Sequence, residues 1–391
     1  MQIYLDYSAT TPCYPQVISA MAAVWQEQWG NPSSLHEWGQ RAATVLEEAR
    51  MQVADLIHAS SESIIFTSGG TEANNLAIMG IARTVAQPQH LIISSVEHAA
   101  IAEPARLLEQ QGWQVTRLPV DGHGRVAPAT LQDALQENTV LVSIIYGQSE
   151  VGTLQPIQAL GQIARDQGVL FHTDAVQVVG RLPIDVQALP VDLVSLSSHK
   201  LYGPQGAGAL YVRSGTPLVP LLAGGGQEQG WRSGTPAVPT LAGFGLAAEL
   251  MAEQMTAEQE RLLQLRDRML SQLATSPYLI PTGDFNHRLP HHLSFCLPPH
   301  APAHITGKTL VRHMNQAGIA ISAGSACHSG TLEPSRILKA MGYSDQQALT
   351  GIRLTLGKHT TSADIDWTTT VLHQLLTRLL APTTMSAAVP H

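Results

Sequence analysis

Between residues 63 and 197 the sequence alternates short apolar runs with segments of helical period, and this alternation most limits the possible folds. The runs are rich in Ile, Val and Leu, which is typical of buried strands. They are SIIF at 63–66, LIIS at 91–94, LVSII at 141–145, VLFH at 169–172 and DLVSLS at 192–197. Residues 100–110 and 156–167, which lie between runs, have helical spacing. Strands that alternate with helices form parallel sheets covered on both faces, so we predict an α/β fold.

The length of the chain predicts two domains. Its 391 residues exceed the size at which one hydrophobic core usually stops growing. After Gly243 the pattern becomes helical, and Thr256 with Gln259 forms a capping-box pattern ahead of further apolar positions. We place the junction there, with a large domain over 14–256 and a smaller α+β domain over 257–391 that also includes residues 1–13.

Composition excludes several classes of protein. Hydrophobic residues make up 44% and charged residues 13%, which is typical of a globular chain. The net charge is -8 and no run of Lys or Arg is present, so nucleic acid is not an expected ligand. No 18 residues run apolar without interruption, and the N-terminus lacks a basic segment before an apolar one. We therefore expect a cytoplasmic protein without a membrane span.

Lys200 is the first candidate for chemistry. It follows the run at 192–197 and precedes a glycine-rich stretch in SSHKLYGPQGAGALYV. Such a lysine can form an imine with a cofactor aldehyde if an acid protonates the cofactor's ring nitrogen. Asp174, in FHTDAVQVVG, ends another predicted strand, and ligands of open α/β sheets bind beyond the carboxyl ends of strands. The alternatives are a surface lysine and an aspartate that caps the next helix.

Two further motifs join a predicted strand to a helix. In TSGGTEANN, Gly70 and Thr71 begin a helix whose N–H groups could bind a phosphate, although the spacing is not that of a nucleotide P-loop. In SVEHAAI, His98 opens a helix, where its imidazole could stack over a bound ring and move protons. An ordinary strand–turn–helix corner and a structural histidine remain the alternatives.

The three cysteines, Cys13, Cys296 and Cys327, are too few and too scattered for a disulfide framework or a metal site. Cys327 lies among small residues beside His328 in SAGSACHSGTLEPS, where a thiolate could attack another sulfur. Cys296 alternates like a strand residue and is expected in the core, and Cys13 is assigned no role. We predict no resident metal site.

Two segments could bind anionic groups. Arg353 in IRLTLGKHTT could bind a substrate carboxylate, with a structural salt bridge as the alternative. The glycine-rich segment GGGQEQGWRSGTP is longer than a linker requires and presents Arg232, Ser233 and Thr235.

Taken together, these motifs and their order resemble the cysteine desulfurases of the class V aminotransferase family, in the NifS/IscS-like group. The resemblance extends from YLDYSATTP and GNPSSLHEWGQRA through the motifs above to IRLTLGKHTT. It implies fold type I of the enzymes that use pyridoxal 5'-phosphate (PLP), with a large domain built on a mainly parallel sheet and a smaller α+β domain. It also implies a homodimer that takes sulfur from L-cysteine, releases L-alanine and supplies an acceptor protein such as an iron–sulfur scaffold.

The resemblance also implies a role for each matching residue. Lys200 would bind PLP as an imine, and Cys327 would carry the persulfide, through which it could transiently hold iron–sulfur. His98 would stack on the cofactor and move protons. The residues that would contact the cofactor are Gly70, Thr71, Gln148, Asp174, Gln177, Ser197, His199 and, across a dimer interface, Thr235. Arg353 and Gln148 would bind the substrate.

The sequence departs from the family pattern at two neighbouring site positions and in its C-terminal segment APTTMSAAVPH, where the extension by which some members dock a scaffold partner is not recognisable. Where the family usually has two asparagines before Glu-x-Gly, this chain has Gln148 and Ser149. Gln148 could still donate its amide to cofactor or substrate, but it is longer by one methylene. Two alternative functions follow: a PLP-dependent cysteine or selenocysteine lyase, and a sulfur-assembly scaffold protein with weak catalysis.

Overall fold

The computed structural model describes residues 2–324 and 333–380 of the chain. These residues form thirteen strands and eleven α-helices. The strands are β1 (Ile3–Tyr4), β2 (Ile64–Thr67), β3 (His90–Ser94), β4 (Gln114–Leu118), β5 (Thr139–Ser143), β6 (Leu170–Asp174), β7 (Leu193–Ser197), β8 (Gly208–Val212), β9 (Ile280–Pro281), β10 (His292–Cys296), β11 (Ile319–Ala320), β12 (Ser322–Ala323) and β13 (Ile352–Thr355). The helices are α1 (Pro15–Glu27), α2 (Glu37–Asp55), α3 (Gly70–Ala82), α4 (Ala99–Gln110), α5 (Pro128–Ala134), α6 (Ile157–Asp166), α7 (Val238–Leu273), α8 (Gly307–Gln316), α9 (Arg336–Ala340), α10 (Asp345–Ala348) and α11 (Ser362–Leu380).

A seven-stranded sheet in the order β2-β8-β7-β6-β5-β3-β4 forms the centre of the larger part. All strands run parallel except β8, which is antiparallel to both of its neighbours. Each of the five predicted apolar runs overlaps one strand of this sheet. Strand β8 was not expected from the alternation, because it follows β7 through a short connection without a crossover helix.

Both faces of the seven-stranded sheet are buried. Along β3, Ile92 packs into one hydrophobic cluster, whereas Leu91 and Ile93 pack into another. Successive side chains of a strand point to opposite faces, so a strand with no polar face must be covered on both sides. The predicted α/β fold with a mainly parallel sheet is confirmed.

The smaller part contains an antiparallel sheet, β12-β13-β10-β9, and a parallel pair, β1 with β11. Its hydrophobic cluster combines residues from both ends of the chain, including Ile3, Leu5, Phe295 and Leu372. The sequence also predicts helices over 305–316, before Gly318, and over 364–380, and these correspond to α8 and α11. None of the helices in the described part of the chain has the length and hydropathy that a membrane span requires.

The predicted helix start at Thr256 is wrong, because α7 is one helix of 36 residues from Val238 to Leu273. A capping side chain acts only where the preceding backbone is not helical, and residues 238–255 are already helical. Phe244 of α7 packs in the core of the larger part and Met269 in that of the smaller part. The domain boundary at 256/257 stays a prediction, because α7 contributes side chains to both hydrophobic cores.

Candidate active site

Four of the predicted site residues, Gly70, Thr71, Ser197 and His199, lie beyond the carboxyl ends of β2 and β7. A cavity of about 500 Å³ lies there. Its lining consists of residues from four segments of the chain: Ala9, Thr10, Ser68, Gly69, Gly70, Thr71, Glu72, Ser197, His199, Gln205, Gly206 and Ala207. Parallel strands bring their carboxyl ends to one edge of the sheet, which is why residues so distant in sequence line one cavity.

Lys200 follows β7 and is tied to the N-terminal segment. Its Nζ atom donates hydrogen bonds to the carbonyl oxygens of Ser8 and Ala9, each at 2.7 Å. Burial lowers the pKa of Lys200 to about 8, and the charges of Arg353 and Arg181 act in the same direction. A substantial fraction of this amine is therefore neutral near physiological pH, which is the form that attacks an aldehyde.

Asp174, the last residue of β6, is buried, and each of its carboxylate oxygens accepts one hydrogen bond. Its Oδ2 atom accepts a hydrogen bond from Nδ2 of Asn74 at 2.7 Å, and its Oδ1 atom accepts one from the backbone N–H of Val176 at 3.0 Å. The hydrogen bond from Val176 is of the kind that the predicted helix-capping alternative requires, although no helix follows β6 directly. Its negative charge raises the pKa of Lys200, so the two groups lie within electrostatic reach of each other.

Two buried oxygen atoms near Asp174 have no partner among the described residues. They are Oε1 of Gln177 and Oδ1 of Asn74. The amide of Gln177 is oriented by a 2.9 Å hydrogen bond from its Nε2 atom to the carbonyl of Ser8. Unsatisfied buried polar atoms are uncommon, and here they indicate a site that a polar ring could complete.

The first turn of α3 approaches the segment that follows β6 closely. A Cβ atom on Gly70 would come within 2.8 Å of Cγ2 of Val176, so only glycine fits without a shift. Ser197 is buried nearby, and Nδ1 of His199 lies 3.1 Å from the hydroxyl of Thr10. Burial and the neighbouring Lys200 lower the pKa of His199 to about 4, so its imidazole stays neutral. Backbone N–H groups, hydroxyls and a neutral imidazole suit a phosphate.

Several predicted site residues are not among those that line this cavity: Gln148, Asp174, Gln177, Lys200, Arg353, His98 and Thr235. His98 is the N-cap of α4, where its Nδ1 atom accepts a hydrogen bond from the N–H of Ala100 at 3.1 Å, and its side chain is exposed. The structural alternative for His98 is therefore present. Thr235 is exposed and has no contact with the cavity within one protomer.

Arg353 on β13 is engaged by two other segments. Its Nη2 atom lies 2.6 Å from Oδ1 of Asp6, and its Nη1 atom donates to the carbonyl of Ser149 at 2.9 Å. The structural salt bridge proposed as the alternative thus exists, with a partner 347 positions away in the sequence. The Nε atom of Arg353 is buried without a partner among the described residues.

Gln148 is held by the backbone around it. Its Oε1 atom accepts hydrogen bonds from the N–H groups of Glu150 and Val151, and its Nε2 atom donates to the carbonyl of Val96 at 3.3 Å. One amide hydrogen remains for another acceptor.

Cys327 lies outside the described residues, whereas Cys296 is buried on β10, and burial raises its pKa to about 12.

Sequence reasoning missed the N-terminal segment at residues 6–11 and Asn74. This segment supplies carbonyl acceptors to Lys200, a carboxylate to Arg353 and hydroxyls to His199. The available signal was the run of Asp, Ser and Thr in YLDYSATTP directly after a predicted strand. It was not used because each polar residue there also suits a turn.

These residues fit PLP, which needs a lysine amine, an anion beneath its ring nitrogen and donors for its phosphate. Lys200, the buried Asp174 and the first turn of α3 supply all three at one edge of a mainly parallel sheet. Fold and site together define a PLP-dependent enzyme of fold type I. The chain belongs to the aminotransferase class-V family, whose model matches residues 3–367. The enzymes of this family use PLP, so the predicted cofactor is confirmed.

Two curated relatives and two solved structures are similar to this chain over nearly its whole length. The chain is 44% identical to cysteine desulfurase IscS of Dictyoglomus turgidum, over 97% of this chain and 95% of the relative. It is 41% identical to cysteine desulfurase IscS of Methanosarcina thermophila, over 96% and 92%. A solved NifS-like protein superposes with a TM-score of 0.90 at 33% identity, covering 97% of this chain and 100% of the other. SspA, solved in complex with cysteine, superposes with a TM-score of 0.81 at 33% identity, over 92% and 100%.

Proposed function

We propose that the protein is a PLP-dependent cysteine desulfurase that converts L-cysteine to L-alanine and retains the sulfur as a persulfide on Cys327. One observation carries the proposal beyond family likeness: the Lys200 amine, with a pKa lowered to about 8, lies within electrostatic reach of the buried carboxylate of Asp174. That combination supports PLP chemistry on amino acids. The SspA structure in complex with cysteine supports the choice of substrate.

In this proposal Asp174 would contact the cofactor ring, and the first turn of α3 would bind the cofactor's phosphate. The Asp174 carboxylate would favour the protonated form of the ring nitrogen, and Gln177 would donate a hydrogen bond to the ring's phenolic oxygen. Gly70, Thr71, Ser197 and His199 would bind the phosphate, joined by Thr235 of a second protomer. Bound PLP supplies the electron sink that stabilises a negative charge at the substrate Cα.

The chain's own groups would move the protons and the sulfur. Lys200 or His98 would accept the Cα proton, while Arg353 binds the substrate carboxylate and Gln148 lies beside it. The Cys327 thiolate would form an S–S bond with the substrate sulfur as the substrate C–S bond breaks. One proton then replaces sulfur on Cβ, another returns to Cα from the group that accepted it, and alanine leaves. The acceptor protein, for which an iron–sulfur scaffold is our candidate, would take the persulfide sulfur.

We also propose a homodimer, because the protomer exposes several large apolar side chains near one another in sequence. Trp25, Trp29, Leu35 and Trp38 are between 50% and 91% exposed. Such residues usually mark an interaction surface. Sedimentation should give twice the 41.9 kDa mass of the chain, and Trp29→Glu should lower it towards one chain. A cytoplasmic location stays a prediction.

The decisive experiment is incubation of the purified protein with L-cysteine. A desulfurase gives alanine and a persulfide on Cys327, whereas a lyase gives pyruvate, ammonia and sulfide. A comparison of L-cysteine with L-selenocysteine tests the selenocysteine alternative. An assembly scaffold would turn over neither substrate at a useful rate.

Cys327→Ser tests the assigned sulfur acceptor, with Cys13→Ser as the matched control. Cys327→Ser should retain the cofactor absorbance and yet make almost no alanine. Cys13→Ser should behave like the unmodified protein. Full alanine production by Cys327→Ser would refute the role of Cys327.

A further inference from the structure

We propose that Asp6 is a positioning residue of the substrate site, whose carboxylate holds the Arg353 guanidinium in the orientation that binds the carboxylate of an amino acid. This inference rests on the proposed function, because it gives a role to a residue beside the group that would bind the substrate. Asp6 contacts Arg353 and would not itself touch the substrate.

The geometry of Arg353 carries the inference. Its two terminal nitrogens are held by different segments, Nη2 by Asp6 at 2.6 Å and Nη1 by the carbonyl of Ser149 at 2.9 Å. Two anchors on one planar group remove its rotational freedom, which otherwise must be lost when a ligand binds. Each terminal nitrogen retains a second N–H, and Nε is buried without a partner among the described residues, so donors remain for a carboxylate.

The fold places Asp6 there through backbone pairing. Asp6 forms an isolated parallel bridge with Thr355, two residues beyond Arg353 on β13. The N–H of Thr355 donates to the carbonyl of Leu5 at 2.8 Å, and the N–H of Ser8 donates to the hydroxyl of Thr355 at 2.9 Å. The position of Asp6 is thus set by strand register rather than by its own side chain.

Charge gives Asp6 a second effect, on Lys200. Arg353 and Arg181 lower the pKa of Lys200, while Asp174 and Asp6 raise it. Asp6 also raises the pKa of Tyr4, although burial is the larger cause there. Removal of the Asp6 charge should therefore move the pKa of Lys200 below about 8. A purely mechanical role in folding would leave that value unchanged.

The test compares Asp6→Ala and Asp6→Asn with the control Asp366→Asn. Asp366 forms a surface pair with Arg268 at 2.7 Å on α11, so the control loses a similar ion pair away from the site. Asp6→Ala should raise the KM for L-cysteine roughly tenfold or more, with a smaller change in kcat, since tenfold corresponds to one lost orienting contact. Asp6→Asn retains an acceptor oxygen and should recover part of the KM. Asp366→Asn should change neither constant.

A second readout uses the cofactor-free protein. The rate at which an amine-specific reagent modifies Lys200 is followed against pH by peptide mapping. The midpoint should shift down in both Asp6 variants and stay in place in Asp366→Asn. If the midpoint and the KM of a folded Asp6→Asn and Asp6→Ala both match the unmodified protein, Asp6 has no positioning role. If Asp6→Ala does not fold, Asp6→Asn decides.

The outcome stays separable from the proposed function. If the unmodified protein makes no alanine, the desulfurase proposal fails. The affinity of L-alanine, measured from the shift it causes in cofactor absorbance, then replaces KM. Weaker L-alanine binding by Asp6→Ala would still support the role of Asp6, and equal binding would overturn it.

Discussion

Glu97 shows how burial changes a single residue. It precedes His98 and is buried, and its Oε1 atom accepts hydrogen bonds from the Ser94 hydroxyl at 2.5 Å and the N–H of Ile145 at 2.9 Å. Its Oε2 atom has no partner among the described residues. Burial raises the pKa of Glu97 to about 8. The carboxyl of Glu97 is therefore mostly protonated at neutral pH.

We expect Glu97→Gln to stabilise the protein in a pH-dependent way. The folded-state pKa of about 8 exceeds the ordinary 4.5, so the folded state binds the extra proton between these values. The stability of the unmodified protein relative to Glu97→Gln should fall as pH rises from about 4.5 to about 8 and then level off. Urea unfolding at several pH values measures this difference. Glu103→Gln on α4, where the carboxylate is only half-buried and pairs with Arg106, is the comparison variant.

The proposed role of Lys200 can be tested by chemical trapping of the cofactor. Borohydride treatment of the holoprotein should bleach the cofactor absorbance and attach the cofactor to the peptide that contains Lys200. Lys200→Ala should yield no trapped peptide, because its side chain has no amine. A trapped cofactor on any other lysine of the unmodified protein would show that Lys200 was assigned wrongly.

At the scale of elements, the glycine-rich segment at 224–235 is anchored by a buried ion pair. Glu228 binds Arg50 of α2 through both carboxylate oxygens, at 2.6 and 2.9 Å, and also accepts from the N–H of Phe66 at 2.8 Å. Its φ of 49° lies in the left-handed region, which costs a non-glycine residue energy. The ion pair thus holds a strained backbone in the segment that presents Arg232 and Thr235.

Removal of that anchor should be strongly destabilising. Glu228→Ala leaves the Arg50 charge buried and unpaired with that partner, and we expect the free energy of unfolding to fall by about 3–5 kcal/mol. Glu47→Ala removes the exposed partner of the same arginine, and it should cost about 0.5 kcal/mol or less. Denaturant unfolding compares the two. Similar losses in both variants would contradict a dominant role for Glu228.

At the scale of the whole molecule, α7 joins the two hydrophobic cores. Its first half packs with α1 and α2, and its second half packs beside α11. Unfolding of one core should destabilise the other, because α7 cannot be interrupted between them without the loss of backbone hydrogen bonds. We therefore expect the two parts to unfold together.

Thr256→Pro tests that coupling. Thr256 is exposed in the middle of α7, so proline would break the helix at a cost of about 3 kcal/mol or more while both cores remain intact. Calorimetry should then resolve two transitions, whereas Thr256→Ala should retain one. A single transition in the proline variant would mean that other contacts couple the cores.

Much of the secondary structure could be predicted, because many strands and helices follow from local periodicity. The five apolar runs and the helices α4, α6, α8 and α11 needed only the order of neighbouring residues. The continuity of α7 through Thr256 did not follow, since a capping pattern has the same spacing inside a helix as at its start. Strand β8 likewise depended on pairing with β2 and β7 rather than on its own pattern.

The site residues likewise divide into those that local sequence patterns predict and those whose contacts depend on the tertiary structure. Lys200, Asp174 and Gly70 were predictable because each follows an apolar run, and the resemblance to the family fixed their proposed roles. The pairs Asp6 with Arg353 and Asn74 with Asp174 join residues 347 and 100 positions apart, and only folding brings them together. A linear sequence specifies local conformation directly, whereas a contact between distant side chains requires that every intervening element first be packed and in register.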